Sequence, residues 1–285
     1  MTRPPALVLT VLAIIAAGCD RPMSPAAPTA GPAPAPAPAP APAAQFATAG
    51  DPESDDGATW TLRGRVDGTV VDLRGVLMKP PGAGPFPAVV ISHGYGGSAR
   101  QFSTGMGREM RGWGLVAIAT DYTHAGGGAT GAPGGPNDPG GSAANVVRAH
   151  ATLSILSRLG YVDLRRVAAH GHSMGAFVTT AFAATHGDLL RVASHTAGGV
   201  RPDAIPFAAA PALTQAALIR TPYQWHHGGE DDVVPLAMDQ LFEAALDASG
   251  VPHEGHIYAG EAHDIARHPE VLGRIRAWYA AHGMF

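Results

Sequence analysis

The sequence predicts an α/β domain with a mostly parallel central sheet, helices on both faces and no large lid domain. Three observations carry this expectation. Short continuous apolar runs recur, among them "FPAVVISHG" (86–94), "LVAIATDY" (115–122) and "RRVAAHGHS" (165–173), as strands buried on both faces require. Stretches of helical length separate them, the rhythm of βα units. Polar residues then gather just past the runs, where a parallel sheet collects its chemistry.

In chain order, the first segment lies outside that domain. Arg3 precedes the apolar run "ALVLTVLAIIAAGC", too short for a transmembrane helix and laid out as a secretory signal over residues 1–18. Ala16-Ala17-Gly18-Cys19 resembles a bacterial lipoprotein processing site, which implies a lipidated Cys19 as the mature N-terminus. Such a protein is exported and held at a membrane of the cell envelope, and Asp20 resembles an inner-membrane retention signal. Ordinary cleavage with release, or an uncleaved anchor, are the alternatives. Residues 19–58 follow as a tether. The repeat "GPAPAPAPAPAPA" favours extended polyproline II, and the acidic "DPESDDG" offers no apolar face.

The folded domain is expected over 59–285. "TWTLRGRVDGTVVDLRGVLMKP" alternates about Asp67-Gly68 and predicts two antiparallel strands joined by a tight turn. A strand over 86–94, a helix over 100–112 and a strand over 115–122 come next. A glycine-rich loop (125–141) precedes a helix over 143–159, where Val146, Val147, Ala149, Leu153 and Leu156 recur near helical spacing. A strand over 165–173 runs into a helix over 174–185. Further strands are expected at 191–199, 222–232 and 254–263, with helices at 236–248 and 266–282. Only 201–220 breaks the rhythm; it has room for a small helix at 211–219 and none for a large lid.

Composition narrows the function classes. The chain has 285 residues, 46% hydrophobic, and a formal net charge of −4. With no basic stripe, nucleic-acid binding is not expected. Fourteen histidines suggest a metal protein, but they are scattered, without HExxH or CxxC spacing, so neither a metal nor another cofactor is expected. Strand alternation sends His226 and His227 to opposite faces, against a shared ion. The single cysteine rules out an internal disulfide. The loop over 124–141 lacks a GxxxxGK[ST] phosphate cradle.

The chemistry is concentrated at "HGHSMGAF" (170–177). Gly171-His172-Ser173-Met174-Gly175 fits G-x-S-x-G, in which small flanking residues let strand and helix approach while the serine is exposed on a sharp turn. A serine hydroxyl needs a base, and the base an orienting acid. His263 of "GEAHDI" is the expected base, with His268 left to surface or packing. Asp231 of "GGEDDVVPL" is favoured as the acid over its neighbours Asp232 and Glu230. The order Ser173, Asp231, His263 is the one expected for this elbow. The oxyanion donors are expected to be the backbone N–H groups of Met174 and of Tyr95, in "SHGYGGS" (92–98). The ring of Tyr95 and His172 are candidate pocket residues; Trp225 is expected in the core.

"ISHGYGG", "GHSMG", "GGEDDVVP" and "GEAH" together resemble the α/β-hydrolase superfamily over about 60–285, and within it the compact dienelactone-hydrolase-like and bacterial cutinase-like serine esterases. Dienelactone hydrolases proper use a cysteine nucleophile, and here the elbow carries Ser173. The resemblance implies a carboxylic-ester hydrolase working through Ser173, His263 and Asp231 by an acyl-enzyme. Its partners would be small ester substrates of short to medium acyl chain, with the membrane reached through Cys19. Polyester hydrolysis, peptidase or amidase activity, acyl transfer and a non-catalytic surface lipoprotein are the alternatives.

Overall fold

The computed structural model describes residues 44–127, 138–204 and 209–285. The proposed signal peptide, Cys19 and the Ala/Pro repeat lie outside these residues, as does most of the glycine-rich loop. The hairpin expected about Asp67-Gly68 is present: β2 (Ala58–Val66) pairs antiparallel with β3 (Thr69–Met78), Val66 opposite Thr69. Asp67 and Gly68 both take positive φ (47° and 81°), the conformation a two-residue turn needs to match strand twist.

One strand was not anticipated. β1 (Gln45–Ala49) pairs antiparallel with β2 at the sheet edge, so the domain begins before residue 59 and a tether reaching residue 58 is corrected. Its side chains are mostly exposed, and backbone pairing rather than an apolar face holds it. The acidic stretch behind it stays exposed but is tied to the domain by ion pairs. Arg111 meets Asp55 at 2.6 Å, Arg108 meets Asp56 at 3.6 Å, and buried Lys79 pairs with Glu53.

The remaining elements follow the expected rhythm. They are β4 (Phe86–Ser92), α1 (Ala99–Gly112), β5 (Val116–Thr120), α2 (Ala143–Leu156), β6 (Val162–His172) and α3 (Met174–His186). After these come β7 (Val192–Thr196), the short α4 (Leu213–Ala216), β8 (Tyr223–Gly228), α5 (Ala237–Ser249), β9 (His253–Tyr258) and α6 (Pro269–Ala281). The nine-stranded sheet has the order β1-β2-β3-β5-β4-β6-β7-β8-β9. From β5 through β9 all pairings are parallel.

Strand alternation divides the core. Val89 and Ile91 of β4 face Met106 and Met110 of α1 and Ile275 and Tyr279 of α6. Ala88 and Val90 face the other way, into the cluster that holds α2, α3 and α5 through Val146, Val178, Phe182 and Phe242. Both faces of the central strands are therefore covered, which is why they read as unbroken apolar runs. Trp225 is buried in the core as expected, against Gly255, where a Cβ would come within 2.2 Å of its ring. Among the described residues no helix is long and apolar enough to cross a membrane.

Candidate active site

β6 runs straight into α3, and Ser173 is the single residue between them. Its backbone has φ 56° and ψ −121°, a region that costs roughly 1–3 kcal/mol for a non-glycine residue. Close packing holds it there. A Cβ on Gly171 would lie 2.1 Å from the Gly175 carbonyl oxygen, and one on Gly175 would lie 2.1 Å from that of Ser92. The Ser173 N–H donates to the Thr196 carbonyl at 3.0 Å. Although Ser173 occupies the N-cap position of α3, its side chain makes no capping hydrogen bond. The Oγ instead lies 2.9 Å from His263 Nε2.

Two loops at the C-terminal edge of the sheet bring the other polar groups to it. The turn after β8 and the turn after β9 are laced by Gly229 N–H to the Tyr258 carbonyl (2.8 Å) and Glu230 N–H to the Glu261 carbonyl (2.9 Å). That lacing sets His263 Nδ1 at 2.8 Å from Asp231 Oδ2. The other oxygen, Oδ1, accepts the N–H groups of Val233 (2.9 Å) and Val234 (2.8 Å). Burial opposes ionisation of Asp231, but hydrogen bonds from His263, Val234 and Val233 outweigh it and hold the carboxyl below its ordinary range. Asp232 and Glu230 are exposed and make no bond to His263, so the structure distinguishes the three adjacent acids by geometry. His268 sits at the start of α6, 3.8 Å from Glu261.

The loop after β4 lies against the serine: a Cβ on Gly94 would be 3.4 Å from Ser173 Cβ. His93 shapes that loop. Its Nδ1–H donates to the Gly94 carbonyl (2.9 Å), and its Nε2 accepts the Tyr122 N–H (3.1 Å). Accepting at Nε2 fixes a neutral ring, in keeping with burial, which lowers its pKa. Gly96 N–H to the His124 carbonyl (3.2 Å) staples the same loop to the segment after β5. Tyr95 follows Gly94, with its side chain on the rim, 56% exposed. Met174 is the first residue of α3, so its N–H is among those with no acceptor inside the helix.

His172, weighed in the sequence between packing and the cleft, does both. Nδ1 meets Thr196 Oγ1 at 2.9 Å, and the ring stacks on Phe102 with 13° between planes. Burial, then the neighbouring His263, push its pKa down to about 4, leaving it neutral at pH 7. Beside it opens a cavity of about 320 Å³ lined by Gly94, Tyr95, Phe102, His172, Ala266 and Arg267. Phe102 and Arg267 were not singled out from the sequence; both come from helix or loop positions that carry no motif.

The adjacent histidines of β8 do take separate partner sets. His226 meets Tyr258 OH (2.8 Å) and Gln224 Oε1 (3.0 Å), whereas His227 meets Asp239 Oδ2 (2.7 Å) and the Val234 carbonyl (2.8 Å). Among the described residues, no group of three or more His, Cys, Asp or Glu side chains is arranged to hold a metal ion.

A cold-adapted esterase from an Arctic intertidal metagenomic library superposes with a TM-score of 0.63 at 18% identity, covering 79% of this chain and 93% of that one. Esterase 2 of Thermogutta terrifontis, solved phosphonylated by sarin, gives 0.60 at 18% identity, covering 77% and 93%. Dipeptidyl peptidase 4 of Porphyromonas gingivalis gives 0.60 at 18% identity over 74% of this chain, which spans only 34% of that much longer one. At such identities the likeness is one of fold: the α/β-hydrolase fold. No curated protein matches the chain in sequence. A family model does, over residues 73–271, a stretch running from β3 into α6 and including Ser173, Asp231 and His263. On that match the chain belongs to the dienelactone hydrolase family.

Proposed function

We propose that this hydrolase-family chain is a serine carboxylesterase for short to medium acyl esters. The carrying observation is the unbroken series Ser173 Oγ, His263 and Asp231, at 2.9 and 2.8 Å, with the serine on a strained elbow and its hydroxyl free of capping duty. His263 Nε2 takes the Ser173 proton as Oγ attacks the ester carbonyl carbon. Asp231 accepts the Nδ1–H throughout, which keeps the lone pair at Nε2 and stabilises the imidazolium. The N–H groups of Met174 and Tyr95 receive the oxyanion. The alcohol leaves with the proton from His263. Water then attacks the acyl-enzyme, giving its proton to His263, which returns it to Ser173.

The adjoining cavity, about 320 Å³, has room for a short chain and is at the small end of ligand sites. Tyr95 and His172 would line the substrate there. We further propose that Cys19 is lipidated after removal of residues 1–18, so that the enzyme acts from a membrane of the cell envelope on soluble esters.

The test is kcat/KM for p-nitrophenyl esters from acetyl to palmitoyl, on the purified full-length protein and its Ser173→Ala variant. Activity concentrated at short and medium chains, and reduced about 10⁴-fold or more in the variant, is the expected result. Because the Thermogutta esterase is phosphonylated by sarin, a fluorophosphonate probe is the matching active-site label. Substantial ester hydrolysis by a verified Ser173→Ala preparation would refute the reading.

A further inference from the structure

The carboxylate of Asp231 has a second histidine behind it. His227, on β8, is fully buried, and its Nε2 lies 3.2 Å from Asp231 Oδ2 and 2.8 Å from the Val234 carbonyl oxygen. Its Nδ1 lies 2.7 Å from Oδ2 of Asp239, on α5, whose side chain is also fully buried. Asp239 Oδ1 in turn meets His195 Nε2, on β7, at 2.7 Å, and His195 Nδ1 meets Tyr223 OH at 3.0 Å. A continuous polar line thus runs from Ser173 through His263, Asp231, His227, Asp239 and His195 to Tyr223.

Proton counting along that line is constrained. A carbonyl oxygen only accepts, so His227 Nε2 carries hydrogen; an ionised Asp239 only accepts, so Nδ1 does too. A ring with two N–H groups is an imidazolium. Two aspartates face it, Asp239 from α5 and Asp231 from the turn after β8. His195 and Tyr223 lie beyond Asp239, His263 lies beyond Asp231, and His226 turns to the opposite face of β8. Burial opposes charge on His227, but the Asp239 hydrogen bond and charge raise its pKa overall. Burial likewise opposes ionisation of Asp239, yet His195 and His227 hold it down to about 2.

Resting on the esterase reading, we propose that His227 is a positioning residue: a buried imidazolium, clamped by Asp239, that fixes the Asp231 carboxylate from behind and offsets part of the negative charge His263 feels. The two histidines compete for one oxygen. With His227 charged, the proton taken up by His263 is less strongly held than Asp231 alone would hold it. The two ring nitrogens are at most about 6 Å apart across Oδ2. At an effective dielectric of about 20, a unit charge at that distance is worth roughly two pH units.

The test reads the acid limb of kcat/KM, which reports protonation of the free enzyme's base, in full-length native protein, His227→Gln and Asp239→Asn. Both substitutions keep polar groups in place and remove the charge or its clamp. The limb is expected to move upward by about two units in each variant that folds, whereas a purely structural role would lower the folded fraction and leave the limb where it was. An unmoved limb overturns the proposal. Nitrogen-15 NMR of histidine-labelled native protein supplies a readout independent of any variant: one ring should keep both nitrogens protonated at the pH of maximal kcat/KM, and absence of such a ring there overturns the proposal even if neither variant folds. Ser173→Ala separates the two layers, because retained activity there refutes the esterase reading while the ring measurement still judges His227.

Discussion

Asp231→Asn probes the proposed mechanism at its most buried point. In the native protein Oδ1 accepts two backbone N–H groups, and Oδ2 accepts His263 with His227 at ion-pair distance. An asparagine keeps its carbonyl oxygen on Val233 and Val234, which turns its NH₂ toward His263. That NH₂ donates to Nδ1, so the His263 proton moves to Nε2, the nitrogen that must accept hydrogen from Ser173. The charge is lost as well. A carboxylate and an imidazolium with centres about 4 Å apart attract by about 4 kcal/mol at an effective dielectric of about 20, close to three decades of rate. With the tautomer also inverted, kcat should fall roughly 10³–10⁴-fold at pH 7.5. KM should change little, since Asp231 is buried behind His263. The assay is initial rates on p-nitrophenyl butyrate, with circular dichroism and Tm confirming the fold. Asp232→Asn and Glu230→Gln serve as controls, because those exposed acids make no bond to His263. A folded Asp231→Asn enzyme retaining more than a tenth of native kcat, or a larger loss in either control, would refute the reasoning.

Other consequences can be checked with less apparatus. Gly175→Ala puts a Cβ 2.1 Å from the Ser92 carbonyl oxygen, a backbone atom that cannot step aside. It should lose several degrees of Tm and most activity, since overpacking of about 1–3 kcal/mol falls directly on the elbow; a variant with native Tm and rate would contradict the packing argument. Acid stability follows from buried neutral histidines. Burial pushes His124 and His172 down to about 4 and His170 to about 3, against 6.5 in the free ring. Because these folded values are depressed, the stability they contribute is present above about pH 6.5 and is lost as pH falls through 4. Tm should therefore decline steeply between pH 6.5 and 4, before most carboxylates titrate; a flat Tm across that window would count against it. Cys19→Ser should move the protein from the membrane fraction of cells to the soluble exported fraction, and unchanged partitioning would dismiss the lipid anchor.

What the sequence discloses depends on how far each structural cause reaches along the chain. The central strands are legible because both faces are covered, so burial writes itself into "AVVIS" and "VAIAT" with no need to know the neighbours. The β1 strand is not. Its exposed side chains carry no alternation, and what makes it a strand is a ladder running from Gln45 opposite Arg63 to Ala49 opposite Thr59. The acidic stretch misleads for the same reason, since Arg108 and Arg111, which pair with it, lie on a helix one hairpin and one strand away. His227, Asp239 and His195 sit on three different elements and share no motif. Only the four-residue step from His227 to Asp231 is local, and in the sequence it competes with thirteen other histidines for notice.

The elbow is the opposite case, and it shows why five residues can disclose so much. A serine at φ 56° is costly in isolation. It persists only where neighbouring backbone leaves no alternative, and that requires contacts too close for any side chain. Gly171 must pass the Gly175 carbonyl, and Gly175 must pass the carbonyls of Ser92 and His93. Each requirement converts a three-dimensional approach into a residue identity at a fixed offset from Ser173. The same packing keeps Oγ out of the capping position that a serine before a helix would ordinarily take, and so leaves it for His263. Strain, glycine pattern and an uncommitted hydroxyl are one constraint seen three ways. The buried charge line behind Asp231 has no such steric signature: a histidine pair bridged by a carboxylate needs matched protons, not absent side chains, and proton positions leave no mark on the spacing of residues.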